Sequence, residues 1–467
     1  MKRYDLFINN KWVKPSTDDW ITVLNPATGD ELGQVPAGHE ADVNKAVEGA
    51  KKALASWRNT DVNERVDIVE KMVDYFDDHL DEITDTIIDE LGSVVKITKV
   101  VHVTNYQDMA RDQIKYTREM AMVEDYDTYK VFKEPIGVVA ALTPWNFPFG
   151  QIAKKVIPAL LMGNAVVLKP SQSAPLTAYY FAEAALEAGL PAGVLQLVTG
   201  RGAEVGDVLA SHPDVHMVSF TGSTKAGVEV SKLALENIKR LSLELGGKSP
   251  AVILEGADLD LAIKETLYGV FPNTGQACSS KTRLLVPRKL KEEVEKIVIE
   301  QSKLFKFGDP RNPENHFGPL INKKAYEKVM GYIEMGKKDF TLLYEGDYPE
   351  DEHAYYVPPV VFTDVDNQSK IAQEEIFGPV LVIVYYDSVE EAIELANDTI
   401  YGLHGLIVGP EEDALTFAKE LQAGQIIIND NPRTQSAPFG GYKQSGFGRE
   451  GGLAGLEEYI ELKTLFI

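Results

Sequence analysis

The chain has 467 residues, a hydrophobic fraction of 44% and a formal net charge of −24, enough for two or three domains with large cores. That acidity excludes nucleic acid and anionic membrane as expected partners, since both reward clustered Lys and Arg, and an anionic ligand would need a local basic pocket. No apolar run approaches the ~20 residues of a membrane helix, and the basic start is only Lys2 and Arg3, with no long apolar stretch after it in the first 13 residues, so the reading is a cytoplasmic protein without a secretory signal.

In chain order, residues 6–13 and 20–23 are strand-like, with the turn formers Asn9, Asn10, Asn25, Pro26 and Gly29 between and after them, and predict an N-terminal β-hairpin. Two helices are expected next. In the second, Asp61 is the N-cap with Glu64 three residues on, and Val62, Val66, Val69, Val73, Phe76 and Leu80 recur at steps of four and three as one buried stripe. The helical pattern continues from 81 to about 120 with an interruption near Gly92.

From Ile136 onward short apolar runs alternate with helical segments, the pattern of a parallel sheet covered on both faces. Ligands of such sheets lie at the carboxyl ends of strands, where the sequence sets Trp145, Asn146, Lys169, Ser171, Gly222 and Ser223. A second series starts near Ala251 and includes a helix over 290–304, a strand over 379–386 and a helix over 388–397 that Ser388 and Glu391 open as a capping box. Residues 241–247 join the two series, with a domain boundary at Gly246 and Gly247. Residues 123–135 and 461–467 are strand-like but belong to neither series; they are free to pair with each other, and their open edge would invite another subunit.

Cys278 is the only cysteine, so no internal disulfide exists and the thiol is either packed or used. Gly275 and Gln276 precede it and Ser279, Ser280, Lys281 and Thr282 follow, a polar turn ahead of the apolar residues 284–286. Lys281 and free backbone N–H groups are expected to lower the thiol pKa. No GxGxxG fingerprint follows a predicted strand. Residues 220–227, FTGSTKAG, are the nearest substitute: Gly222 and Ser223 end a strand and open a helix whose N–H groups suit a pyrophosphate, although such turns are common without a ligand. Lys169 reads equally as a ribose or phosphate contact and as a solvated strand end. Glu244, inside the apolar residues 242–247, is either a buried general base or the outward-facing member of an alternating strand. His212 and His216 are four apart with no third ligand in sight, so they read as structural and no metal site is expected.

Seven motifs then stand together: TPWNFP (143–148), KPS (169–171), FTGS (220–223), LELGGKSP (243–250), GQAC (275–278), EEIFGPV (374–380) and PFGGYKQSGFGRE (438–450). Their identity and order resemble the aldehyde dehydrogenase superfamily over nearly the whole chain, as does the spacing of 34 positions between Glu244 and Cys278. The resemblance implies an α/β architecture: a Rossmann-like cofactor domain (1–120 and 136–246), an α/β catalytic domain (247–452) and a small β oligomerisation extension (121–135 and 453–467). It implies Cys278 as nucleophile, Glu244 as general base, the Asn146 amide and the Cys278 N–H as oxyanion donors, and Lys155 with Glu450 as a proton relay. For the cofactor it implies Lys169 on the adenosine ribose, Ser223 on the pyrophosphate, Glu375 on the nicotinamide ribose and Phe377 beside the nicotinamide, with Trp145, Ser171, Gln172, Gly222 and Leu245 in the same site. The implied reaction oxidises an aldehyde with NAD or NADP, takes water as second substrate, needs no metal, and runs in a homodimer or homotetramer.

Two departures stand out. Gln172 occupies a position where many NAD-preferring relatives have Glu, which makes NADP admissible. Ser279, Ser280 and Lys281 replace small apolar residues, which makes the substrate entrance polar. The rival readings are a CoA-acylating semialdehyde dehydrogenase, whose members typically lack the base at Glu244, a cysteine hydrolase, which needs a His base beside Cys278, and a non-catalytic binding or structural protein on the same fold.

Overall fold

Five short, largely buried strands form the centre of a first sheet: Val138–Leu142, Ala165–Lys169, Leu195–Leu197, Met217–Thr221 and Arg240–Glu244, paired in parallel. The structure, a computed structural model, describes residues 2–348 and 355–467. Along each central strand successive side chains enter opposite cores. Val139, Ala141, Val166 and Leu168 join one, while Val138, Ala140, Ala165 and Val167 join the other, as expected of a sheet with helices on both faces. Helices Pro148–Leu161, Thr177–Glu187 and Thr224–Leu235 make crossovers. Short antiparallel strands close the edges: Leu6–Ile8 and Lys11–Val13 on one side, Gly446–Phe447 beside Arg240–Glu244 on the other.

The helix Val62–Asp78 begins where Asp61 accepts from the Asn63 N–H, and it buries Val66, Val69, Val73 and Phe76. Leu80 opens the next helix, Leu80–Leu91, which ends at Gly92 with φ 79, a left-handed C-terminal stop.

The single predicted N-terminal hairpin is two. Residues 6–13 fold back on themselves, because Asn9 and Asn10 take φ 54 and φ 56, the left-handed pair that a two-residue hairpin turn requires. Trp20–Leu24 pairs instead with Glu31–Pro36.

The second sheet runs Thr341–Glu345, Val360–Thr363, Val380–Tyr386, Arg283–Pro287, Pro250–Ile253, His404–Val408, Gln425–Ile428, parallel throughout except for the first. The cap of helix Val389–Asn397 is not a reciprocal box. Ser388 Oγ accepts from the Glu391 N–H at 3.2 Å, but the Glu391 carboxylate accepts from the N–H of Asp387, one residue before the cap, at 2.6 Å.

The two leftover segments do pair: Ile460–Phe466 lies antiparallel to Tyr129–Pro135, with Val123–Asp125 on the far side. Leu462, Leu465 and Phe466 are exposed on it. Among the described residues no helix is long and apolar enough to cross a membrane.

Candidate active site

Cys278 lies in the loop between the turn Pro272–Gly275 and the strand Arg283–Pro287. Three successive residues before it, Asn273, Thr274 and Gly275, have φ 53, 59 and 70, a conformation that is unfavourable for the two non-glycines. Hydrogen bonds hold it. Asn273 Nδ2 donates to the Asn146 carbonyl at 3.0 Å, Asn146 Nδ2 donates to the Gln276 carbonyl at 3.0 Å, and Thr274 Oγ1 donates to the Gly318 carbonyl at 2.9 Å. The Gln276 side chain accepts from the Ile321 N–H at 3.0 Å. Asn146, from the first sheet, is thus clasped to the cysteine loop of the second. The backbones touch as closely as the side chains: a Cβ at Gly247 would stand 2.3 Å from the Cys278 carbonyl oxygen, and one at Gly275 would stand 2.2 Å from that of Gly378.

The half-buried Cys278 opens on a cavity of about 460 Å³ that Asn146, Trp145, Leu245, Glu375 and Phe377 also line. Phe377 is held at φ 64 with its ring edge-on to Trp145 at 5.5 Å. Glu375 is fixed by the Gly247 N–H, which donates to Oε1 at 3.0 Å. Gly222 and Ser223 close the far end. There Ser223 caps the helix Thr224–Leu235, its Oγ accepting from the Ala226 N–H at 3.3 Å, and the helix presents its positive end.

A second cavity of about 350 Å³ shares Ser223 with the first and is lined by Lys169, Gly206 and Asp207. Lys169 is not the solvated strand end that was the alternative reading. It is buried, donates among the described residues only to the Pro170 carbonyl at 3.1 Å, and burial brings its pKa down to about 8. Ser171 and Gln172 lie in the turn just beyond and do not line either cavity. Two pockets joined at a helix N-terminus, with a buried lysine in the outer one, fit an elongated ligand with a pyrophosphate at its middle.

Glu244, the last residue of its strand, is buried and not outward-facing. Neither carboxylate oxygen has a hydrogen-bond partner among the described residues. Burial, reinforced by the charge of Glu450, holds its pKa well above the usual carboxylate range. Glu450 accepts from Lys155 Nζ at 2.5 Å, and Lys154 Nζ stands 3.9 Å from its other oxygen; all three are buried.

The thiol is not activated as its sequence neighbours suggested. Burial, then the charges of Glu375 and Glu244, push the Cys278 pKa up to about 12, and the cations acting against them are Lys154 and Arg433, not Lys281. Lys281 runs past Gly269, where its Cδ would lie 2.5 Å from an added Cβ. A residue three positions away in a turn need not be a neighbour in space. His212 and His216 each accept a backbone N–H at Nδ1, from Asp214 and Val138, both at 3.1 Å.

Sequence reasoning passed over Asn273 and Gln276, whose amides were the available signal, and over Lys154 and Arg433. A family model described as the aldehyde dehydrogenase family matches residues 12–465. Among solved structures, the chain is similar to a cysteine-to-alanine variant of aldehyde dehydrogenase C from Pseudomonas syringae in complex with NAD+ and octanal, at 37% identity and TM-score 0.97, over 99% of this chain and 96% of that one. An aldehyde dehydrogenase of Bartonella henselae matches at 37% identity and TM-score 0.97 over 100% of both chains. Betaine aldehyde dehydrogenase of Staphylococcus aureus in complex with NAD+ matches at 32% identity and TM-score 0.94, over 99% of this chain and 94% of that one.

Proposed function

The chain belongs to the aldehyde dehydrogenase family and is a nicotinamide-dependent oxidoreductase of aldehydes, and we propose that Cys278, Asn146 and Glu244 carry its reaction. The observation behind this reading is the clasp between Asn146 and the cysteine loop, which fixes an amide N–H donor beside the thiol at the mouth of a cavity that Glu375 and Phe377 also line.

With its pKa at about 12, the resting thiol is protonated at neutral pH and needs a base. Glu244, unpaired and with a raised pKa, is suited to take that proton. The thiolate then adds to the aldehyde carbon; the S–C bond forms while the carbonyl pair moves onto oxygen, where the second N–H of Asn146 Nδ2 and the Cys278 N–H stabilise it. NAD, when bound, supplies the hydride acceptor. As the C=O bond re-forms and the hydride leaves, an acyl thioester remains on Cys278. Glu244 first passes the thiol proton outward through Glu450 and Lys155; it then deprotonates a water that attacks the acyl carbon, the C–S bond breaks, and the departing thiolate takes that second proton back from Glu244 as the carboxylic acid leaves. The presence of Glu244 favours hydrolysis over transfer to CoA.

Lys169, Ser223, Gly222, Leu245, Trp145, Glu375 and Phe377 hold the cofactor, with Ser171 and Gln172 at its adenosine end. An uncharged Gln172 does not repel a 2′-phosphate, so NADP is accepted beside NAD. Residues 1–120 and 136–246 form the cofactor domain, 247–452 the catalytic domain, and 121–135 with 453–467 an oligomerisation extension. The apolar Leu462, Leu465 and Phe466 exposed there support a homodimer or homotetramer, in an enzyme that we place in the cytoplasm.

The test is Cys278→Ala, assayed by NAD(P)H formation from an aldehyde. Turnover should fall on the order of 10⁴-fold or more, while calorimetry still registers NAD binding. A variant that oxidises aldehydes at a rate comparable to wild type would overturn the assignment.

A further inference from the structure

Two helical stretches among the described residues are wound wider than an α-helix, so that an N–H reaches back five residues: Asn105 donates to the Val100 carbonyl and Asp207 to that of Gly202. Such turns are rare and stand frequently at functional sites. The second, Gly202–Gly206, supplies Gly202, Ala203 and Gly206 to the wall of the outer cavity, beside Lys169. The first, Thr98–Thr104, lines neither that cavity nor the one at Cys278. What it carries inward is His102.

The His102 ring is wholly buried and lies nearly flat against that of Phe147, with 4.6 Å between centres and 20° between planes. A relay of hydroxyls fixes its orientation. Nε2 is 3.1 Å from Ser93 Oγ, which is 2.9 Å from Thr98 Oγ1, and Thr98 Oγ1 is 2.7 Å from the Val94 carbonyl oxygen. A carbonyl only accepts and each hydroxyl has one proton, so Thr98 donates to Val94, Ser93 donates to Thr98, and the Nε2–H donates to Ser93. Nδ1, which has no partner among the described residues, then keeps a lone pair, and no buried N–H is stranded. Burial holds the ring's pKa down at about 3, so it stacks as a neutral aromatic throughout the working pH range.

Phe147 follows Asn146, whose amide serves the oxyanion in the proposed reaction. Across the site, Asn146 is clasped to the cysteine loop by Asn273 and Gln276. On its own side the chain enters helix Pro148–Leu161 through Phe147, an N-cap that makes no side-chain cap bond, and the proline next to it has no N–H to anchor. The Phe147 ring is half-buried, and the face that is covered rests on His102.

We infer that His102 is a positioning residue: stacked on Phe147, it fixes the turn from which Asn146 aims its amide at the oxygen of the reacting aldehyde. This rests on the reading of Asn146 as an oxyanion donor. Slack in the turn would reach the reacting atoms through that amide.

The experiment is a double-mutant cycle on kcat, with NAD and whichever of propanal, hexanal and octanal turns over fastest. His102→Gln keeps a donor for Ser93 and removes the stack, whereas His102→Phe keeps the stack and removes the donor. In His102→Gln kcat should fall roughly tenfold to hundredfold, and in His102→Phe it should stay within about threefold of wild type. Phe147→Leu breaks the same stack from its half-exposed side and should match His102→Gln, which keeps the test open if substitution at the buried position folds poorly. In an Asn146→Ala background, itself slower by roughly 10²- to 10³-fold, either change should cost less than about twofold more, because the donor they aim is gone. A ring that only supports the fold would lower the unfolding midpoint and leave kcat of the folded enzyme intact. That result, equal costs in both backgrounds, or a change confined to KM would overturn the positioning role and leave the oxyanion reading standing. Asn146→Ala as fast as wild type would overturn both.

Discussion

Glu90 and Glu244 are both buried carboxylates, one under a helix and one at the end of a strand, and they differ in what surrounds the charge. Glu90 accepts from the Leu176 N–H at 2.6 Å, the Thr177 N–H at 3.0 Å and the Thr177 hydroxyl, and so ties the start of helix Thr177–Glu187 to helix Leu80–Leu91. Glu244 accepts from no described residue. Burial raises the pKa of both, but the three bonds at Glu90 work against it and leave it at about 7, whereas Glu244 has the further push of Glu450. Burial alone does not mark a functional acid. A buried carboxylate whose oxygens are spent on the fold is structural, and one whose oxygens are free is available to move protons.

The largest effect that tests this contrast lies in turnover. Glu244→Gln keeps the shape and removes the acceptor, so steady-state oxidation should fall by roughly 10²- to 10⁴-fold without a loss of thermal stability. Acylation should outlast hydrolysis, giving a stoichiometric burst of NAD(P)H and a thioester on Cys278 visible by intact-protein mass spectrometry. Because Glu244 also serves the thiol, the decisive quantity is the ratio of burst rate to steady-state rate, which should rise. Equal falls in both rates with no acyl-enzyme would leave Glu244 without a special part in deacylation.

The converse belongs to Glu90. Glu90→Ala strands two backbone amides and a hydroxyl, which should lower stability by roughly 2–4 kcal/mol with little change in kcat/KM of the folded enzyme. The sign of its pH dependence follows from the direction of the shift. The folded pKa, at about 7, lies above the ordinary value of 4.5, so the stabilisation is complete below about pH 4.5 and is lost as pH rises through 7. Relative to Glu90→Gln, which has no such titration, wild type should lose up to about 3 kcal/mol between pH 4.5 and 8, read from denaturant unfolding at each pH. A wild-type advantage that instead grows with pH would show that the three hydrogen bonds hold Glu90 ionised.

How much of this was legible in sequence depends on whether a residue's surroundings are local. The first sheet read strand by strand, because Val138–Leu142 and Ala165–Lys169 are buried on both faces and appear as unbroken apolar runs ended by Pro or turn residues. The second sheet was legible only in part: Val360–Thr363 and Gln425–Ile428 are four residues each, and Thr341–Glu345 is largely unburied, too short or too mixed to carry a period. Glu244 and Cys278 were named through the family motifs, while their electrostatics were not readable, since the charges acting on the thiol come from residues 154, 244, 375 and 433. Lys154 and Lys155 as a pair suggest a solvated helix face, yet every residue of Pro148–Leu161 is buried. Arg433 lies in a polar run that reads as loop, and only the fold brings it over Phe439.

The smallest effect probes how Glu244 is tuned. After burial, the largest influence raising its pKa is the negative charge of Glu450, and Lys154, Lys155 and Arg449 oppose it. Glu450→Gln removes that charge and also releases Lys155 from its ion pair, so both consequences push the Glu244 pKa down. A base works when deprotonated, and deacylation measured on pre-formed acyl-enzyme should therefore keep its rate to lower pH, with the acid limb displaced downward by roughly one unit, about 1.4 kcal/mol of interaction. The plateau at high pH should fall modestly, because a weaker base takes the proton from water less readily. Glu244→Gln supplies the control, having no limb at all. A limb that stays in place in Glu450→Gln would mean that the two carboxylates do not sense each other, and that burial alone sets the pKa of the catalytic base.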